Sequence, residues 1–244
     1  MKTITLAKRC FKEIVKDPLN IIFGLAFPIV LLLLLSAMQA NIPVDLFEIE
    51  RLAPGIIMFG LSFFSLFSAT LIAKDKESMF LERLYTTPLK SYNFILGYML
   101  PLIPLALIQS SITYLFSILL GLEISINILF ALLLSIPIAI LFISLGLLFG
   151  SVLNVKQVGG ICGALLTNLS AWLSGIWFDI SLVGKGFESV AKLLPFYHCV
   201  ELQRSVISTN YSSMLSYLYP VLIYGFIITI LSIILFLRQM KKRY

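Results

Sequence analysis

Residues able to do covalent or metal chemistry are scarce in this chain. His198 is the one histidine and stands next to Cys199, while Cys10 and Cys162 lie far away in the sequence. A zinc site needs ligands at short paired spacings, and an activated thiol needs a base and an orienting group. Neither pattern is present, so no catalytic residue and no metal site is expected, and three scattered cysteines form no disulfide framework. The polar groups inside apolar stretches are uncharged. They are Ser62, Ser65 and Ser68, at intervals of three, and Thr167, Asn168, Ser170 and Ser174. Hydroxyls and amides of this kind can guide a polar group through an apolar medium, whereas acid–base or nucleophilic work needs paired ionisable groups.

The elements carrying these residues must lie in a membrane. Hydrophobic residues make up 59 % of the chain and charged residues 12 %, against about 25 % charged in a soluble domain. Six apolar stretches of spanning length are read at 18–38, 54–73, 92–120, 126–152, 158–178 and 215–237. The third holds Pro101 and Pro104 and is too long for one straight crossing, so a kink or break is expected there. The fold expected is therefore an all-α integral membrane protein of six transmembrane helices, forming a single domain over 1–244. Six crossings put both chain ends on one side. All the Lys and Arg residues except Arg51, Lys185, Lys192 and Arg204 fall on that side, which makes it cytoplasmic by the positive-inside rule. The net charge of +6 thus reads as topology, and no aromatic–basic patch suggests nucleic acid.

Three segments are more than spans or joints. Residues 1–16 place Ile4, Ala7, Phe11, Ile14 and Val15 on one stripe, with basic residues around the rest of the wheel, as in a helix lying at the membrane surface. Segment 74–88, within "KDKESMFLERLYTTPLK", forms a short cytoplasmic helix that Pro88 stops near Thr87. It groups Phe80, Leu81, Leu84 and Tyr85 beside the charge pair Glu82 and Arg83. Such a helix fits a protein partner or the lipid headgroups equally well on physical grounds. The outer segment 179–214 is periodic, and Pro195 divides it into two short helices that dip back or cap a pathway.

Within the spans, Gly159-x-x-x-Gly163 permits close helix contact. With Thr167, Asn168 and Trp172 from the fifth span, and Ser62, Phe63, Ser65 and Phe67 from the second, it suggests an aromatic, weakly polar route or an interface between copies. Packing inside one chain is the alternative for any single residue. An intramembrane enzyme would need paired ionisable groups at membrane depth, and the near absence of such groups in the spans argues against one.

The basic helix running into "KDP", "ERLYTTPL" after the second span, and "LPFYHCVELQR" before the sixth occur in order. Together they resemble the permease subunits of ABC type-2 exporters, and the resemblance covers essentially the whole chain. It implies that 74–88 is the coupling helix that docks on an ATPase, with Phe80, Leu81, Glu82, Arg83 and Leu84 as its surface and Thr87-Pro88 as its end. It also implies that Pro195, Phe196, Tyr197 and His198 lie at an outer gate. No G-x-x-x-x-G-K-[ST] occurs, and "GGICGALL" lacks the lysine. ATP and Mg are therefore expected on a separate ATPase, in two copies, driving a permease homodimer in a bacterial plasma membrane. The implied cargo is an amphiphilic drug or antimicrobial peptide. A lipid or lipid-linked glycan is the alternative, and a passive channel a more distant one.

Overall fold

The computed structural model describes residues 2–42, 47–81 and 91–241, and all regular structure among them is helical. Helix α1 is Lys2–Lys16. It buries Leu6, Cys10 and Ile14, at intervals of four, against the bundle. Of the expected stripe, Ile14 is buried, Ala7 is half-buried, and Ile4, Phe11 and Val15 are exposed. Two adjacent apolar stripes on one helix let it face protein on one side and lipid headgroups on the other.

Asp17 then caps helix α2, Pro18–Gln39, by accepting from the Leu19 amide at 3.1 Å, with Pro18 in the first turn where its missing N–H costs nothing. A π-helical turn at Ile22–Ala26 interrupts α2, and Gly24 within it sits against the Phe67 ring. Helix α3 is Ile49–Glu77 and lies at the centre: its apolar stretch is 89 % buried, against 22 % for α2 and for the last helix. Met79, with φ 57°, ends it in a left-handed turn.

The expected break in the third span falls at Leu100–Pro101, separating α4, Ser91–Met99, from α5, Leu102–Leu119. Helix α6, Ile126–Val152, runs unbroken through Pro137. Helix α7 is the continuous run of Val155–Val158, a π-helical stretch Gly159–Leu166, and Thr167–Trp172. Helix α8 is Lys185–Leu193, α9 is Pro195–Ile207 and α10 is Tyr211–Lys241.

Five stretches among the described residues are long and apolar enough to cross a membrane: α2, α3, α4–α5 (Asn93–Leu119), α6 and α10. This makes the chain a multi-pass membrane protein. The fifth expected span, α7, is not among the five, because Lys156, Gln157, Thr167, Asn168 and its glycines dilute its apolar content. It still runs from one end of the bundle to the other. It starts where Glu77 Oε1 accepts the Val155 amide at 3.0 Å, and it leads into Gly175, whose carbonyl meets Arg204 near Arg51.

The tightest helix crossing is α3 against α6. A methyl group added at Gly146 would stand 1.9 Å from Ser68 Oγ and 2.1 Å from the Ser65 carbonyl oxygen; at Gly150 it would stand 2.6 Å from the Ala69 carbonyl. Gly146-x-x-x-Gly150 is thus the small-residue seam of this fold. The Ser68 hydroxyl lies in it, within hydrogen-bond distance of the Ile143 carbonyl of α6 at 3.0 Å and of the Phe64 carbonyl of its own helix at 2.8 Å. One end of the bundle gathers α1, the end of α3, the start of α4 and the end of α10, where Phe94 meets Phe236. The other end gathers α8, α9 and the Asp179 turn.

Candidate functional site

Of the expected segment 74–88, residues 74–81 are described, and 74–77 are the last turn of α3 and not part of a separate helix. Of its docking residues Phe80 and Leu81 are described, while Glu82, Arg83, Leu84, Thr87 and Pro88 lie outside the described residues. Leu81 is 2 % exposed and belongs to the core, so it fastens the segment to the bundle and offers no apolar surface to a partner. Phe80 is half-buried, and the Arg9 guanidinium lies 4.1 Å over its ring.

That contact belongs to a junction built at the end of α3. Asp75 is 1 % exposed. Arg9 reaches it from α1 with a two-pronged grip, Nη1 donating to Oδ2 at 2.5 Å and Nη2 donating to Oδ1. Tyr98 in α4 donates its hydroxyl to Oδ2 at 2.6 Å. Arg9 also pairs with Glu13 at 3.0 Å. A carboxylate this buried is tolerable only because a charged fork and a hydroxyl satisfy it. The hydrogen bond from Arg9 to Asp75 holds the guanidinium even further above neutral pH than usual. Next to it the Cys10 thiol is pushed up to about 12, chiefly by burial and then by the Asp75 charge.

The two residues after Asp75 tie in the other helices. Lys76 Nζ donates to the carbonyls of Gly150, Ser151 and Leu153 at 3.2, 3.2 and 2.6 Å, satisfying the free C-terminal carbonyls of α6. Glu77 accepts the first amide of α7. Asp17 and Lys74 add a peripheral pair at 3.4 Å. Sequence reasoning missed this junction, since Asp75 reads as one charge in a mixed loop run. The available signal was a lone acid between two lysines at the end of an apolar span.

The expected pathway residues divide into two groups. Ser62, Phe63 and Ser65 are buried inside the protomer. Ser62 Oγ donates to the Phe59 carbonyl at 2.6 Å and Ser65 Oγ to the Ser62 carbonyl at 2.7 Å, so both hydroxyls are used by their own helix. Phe63 packs in an aromatic cluster with Phe23, Phe27 and Phe59. Phe67 forms part of the wall of an apolar cavity of about 180 Å³ between α1, α2, α3 and α5, with Ile14, Ile21, Gly24, Phe64 and Gln109.

The α7 residues differ. Gly159 and Gly160 have open space where a side chain would be. Asn168 and Trp172 are exposed, and the Asn168 amide nitrogen donates back to the Ala164 carbonyl at 2.8 Å. Gly163 faces Leu66 of α3, and Thr167 is buried with its hydroxyl on the Gly163 carbonyl at 2.6 Å. One face of α7 therefore packs on α3, and the other presents Gly160, Ala164 and Asn168 to the outside.

At the opposite end, Pro195 opens α9 and is buried. Phe196 stacks on Phe142 of α6 with ring centres 5.9 Å apart, while Tyr197 and His198 pack against Tyr217 of α10. His198 Nε2 meets the Lys192 carbonyl at 2.8 Å, and its Nδ1 is buried without a partner. Further along, Gln203 is fully buried, accepting from Tyr114 at 3.3 Å and donating to Ser135 at 2.9 Å. Arg204 donates to the carbonyls of Arg51 and Gly175, both at 3.1 Å. These bonds weld α9 into the bundle. Among the described residues, no three His, Cys, Asp or Glu side chains gather as a metal would need.

A family model described as "ABC-2 type transporter" matches residues 1–208. A relative named "Putative transport permease ycf38", from Cyanophora paradoxa, is 29 % identical over 125 residues. That match covers 49 % of this chain and 43 % of the relative, so the chain spans less than half of the relative's length.

Proposed function

The chain belongs to the ABC-2 type transporter family, and from that premise we propose that it is the permease subunit of an ATP-driven exporter of amphiphilic molecules. In this reading two copies pair across their α7 faces, a separate ATPase docks at 80–88 with ATP and Mg, and both chain ends lie in the cytoplasm of a bacterial cell. The set of residues that turns energy into motion lies at the α1–α3–α4 junction, and the cargo moves between copies. Members of the family normally pair with an ATPase subunit, which supports this reading.

The observation that carries the proposal is the outward face of α7. Gly159, Gly160, Ala164, Asn168 and Trp172, with Leu165 and Leu169 exposed beside them, make this face smaller and more polar than a helix facing lipid alone would need. An amide at membrane depth needs a protein partner or a polar cavity, because hydrocarbon supplies no hydrogen bonds. A second copy meeting this face supplies both, and a dyad there gives a route lined twice by Asn168 and Trp172. Ser62 and Ser65, spent on their own backbone, serve the packing of α3 in this reading and stay out of the route.

The test is a disulfide scan. Asn168→Cys and Ala164→Cys, with the native cysteines replaced, are expected to cross-link two copies in native membranes, whereas Leu129→Cys on the exposed side of α6 is not. A dimer cross-linked only through α6, or none at all, would overturn the proposed interface.

A further inference from the structure

The junction at Asp75 does more than end a helix. Its carboxylate is held by residues from two other elements, Arg9 of α1 and Tyr98 of α4. Arg9 is at the same time stacked on Phe80, two residues before Glu82. We propose that Asp75 is a positioning residue that joins α1, the end of α3 and the turn at Phe80 as one mechanical unit, so that displacement of that turn moves the amphipathic helix with it.

The chemistry favours a joint that holds firmly yet breaks as a whole. A guanidinium fork on a carboxylate fixes both distance and angle, which an ammonium on a flexible stem does not. The carboxylate is excluded from water, so releasing either donor leaves a buried charge uncompensated. Arg9 itself is partly exposed, at 36 % of its side chain, so its contact with the half-buried Phe80 ring lies at the surface of the bundle. Lys76 and Glu77, next in the chain, hold the α6–α7 turn, so the same three-residue stretch also passes displacement to α6 and α7. The joint stands on its geometry; its role in energy coupling rests on the transporter reading.

Cys10 is a built-in reporter. Its thiol is buried where α1 meets the bundle, one residue from Arg9, and Cys162 and Cys199 are buried elsewhere. Alkylation by N-ethylmaleimide in native membranes, read per peptide by mass spectrometry, reports release of α1 alone. For Asp75→Asn the Cys10 rate is expected to rise about tenfold or more, since the grip of a buried pair is lost while part of it is solvent-screened. Arg9→Lys, which keeps the charge but not the fork, is expected to fall between that variant and the unaltered chain. Cys162 and Cys199 stay protected in both. Cys10 remaining as protected in Asp75→Asn as in the unaltered chain overturns the joint. So does simultaneous exposure of all three thiols in both variants, which would make Asp75 a support of the whole fold.

A second arm separates the joint from the transporter reading. With a P-loop ATPase co-expressed, Asp75→Asn is expected to retain the ATPase and its hydrolysis but to lose about tenfold in ethidium uptake into inside-out vesicles per ATP split. Released Cys10 with no ATPase recovered even by the unaltered chain sinks the transporter reading and leaves the joint standing. Full uptake per ATP in Asp75→Asn sinks the coupling role alone.

Discussion

Gly146→Ala tests the packing on which the rest of the bundle depends. The added methyl would meet the Ser65 carbonyl oxygen at 2.1 Å and Ser68 Oγ at 1.9 Å. The serine hydroxyl can rotate away, but it then loses its 3.0 Å bond to the Ile143 carbonyl. The backbone carbonyl cannot rotate away. Restoring ordinary contact, which begins at 3.4 Å, requires α3 and α6 to part by about 1.3 Å, and close packing tolerates little of that. Overpacking of this kind costs about 1–3 kcal/mol, and the lost interhelical hydrogen bond adds roughly 0.6 kcal/mol. At about 2–4 °C per kcal/mol for a chain of this size, the midpoint should fall by roughly 3–14 °C. Thermal unfolding of the purified protein in detergent, followed by tryptophan fluorescence, is the assay. Gly186→Ala in α8 is the control, since open space surrounds that position; its midpoint should hold or rise slightly, as Ala favours helix over Gly by up to about 1 kcal/mol. Equal midpoints for the two variants would refute the assignment of the seam to Gly146-x-x-x-Gly150.

Other outcomes follow from the same structure. Gln203→Leu removes the bridge between Tyr114 and Ser135 and should destabilise by about 1–3 kcal/mol, read as a lower unfolding midpoint with the helix content unchanged. Double substitution Glu82→Lys and Arg83→Glu should release a co-expressed ATPase in a pull-down while leaving Cys10 protected. Asp179 titrates below the usual carboxylate range because the Ser181 amide and hydroxyl donate to it and Arg51 lies nearby. Its contribution to stability is therefore present above pH about 4 and is lost as pH falls through its depressed folded value. Proteolysis at the turn 180–184 should increase as the pH is lowered in that window, and Asp179→Asn should remove the pH dependence.

Much of the architecture was legible because it follows from composition and periodicity. An apolar chain with basic residues gathered beside alternate joints has few options besides a multi-pass helical protein. Pro101 broke the third span because a proline ring displaces the carbonyl one turn before it. The pairings were not legible. Arg9 and Asp75 are 66 residues apart, and each is surrounded by other charges that would serve as well on paper. Gly146-x-x-x-Gly150 and Gly159-x-x-x-Gly163 look alike in sequence, and which of them makes the close approach depends on what stands opposite. The serine stripe of α3 suggested a route because hydroxyls in a span need partners; Ser62 and Ser65 find them in their own helix's carbonyls, and Ser68 also reaches the Ile143 carbonyl of α6. In α1 the sequence offers two neighbouring apolar stripes, and only packing against α4 shows that Leu6, Cys10 and Ile14 form the inner one.

The central claim is that ATP hydrolysis on another polypeptide drives movement through a pair of these chains. The direct measurement is ethidium uptake into inside-out membrane vesicles containing the chain and a co-expressed P-loop ATPase. The account predicts uptake that requires ATP, requires the ATPase, and disappears with Glu82→Lys and Arg83→Glu. Uptake that proceeds without ATP or without the ATPase would mean a passive channel and would contradict it.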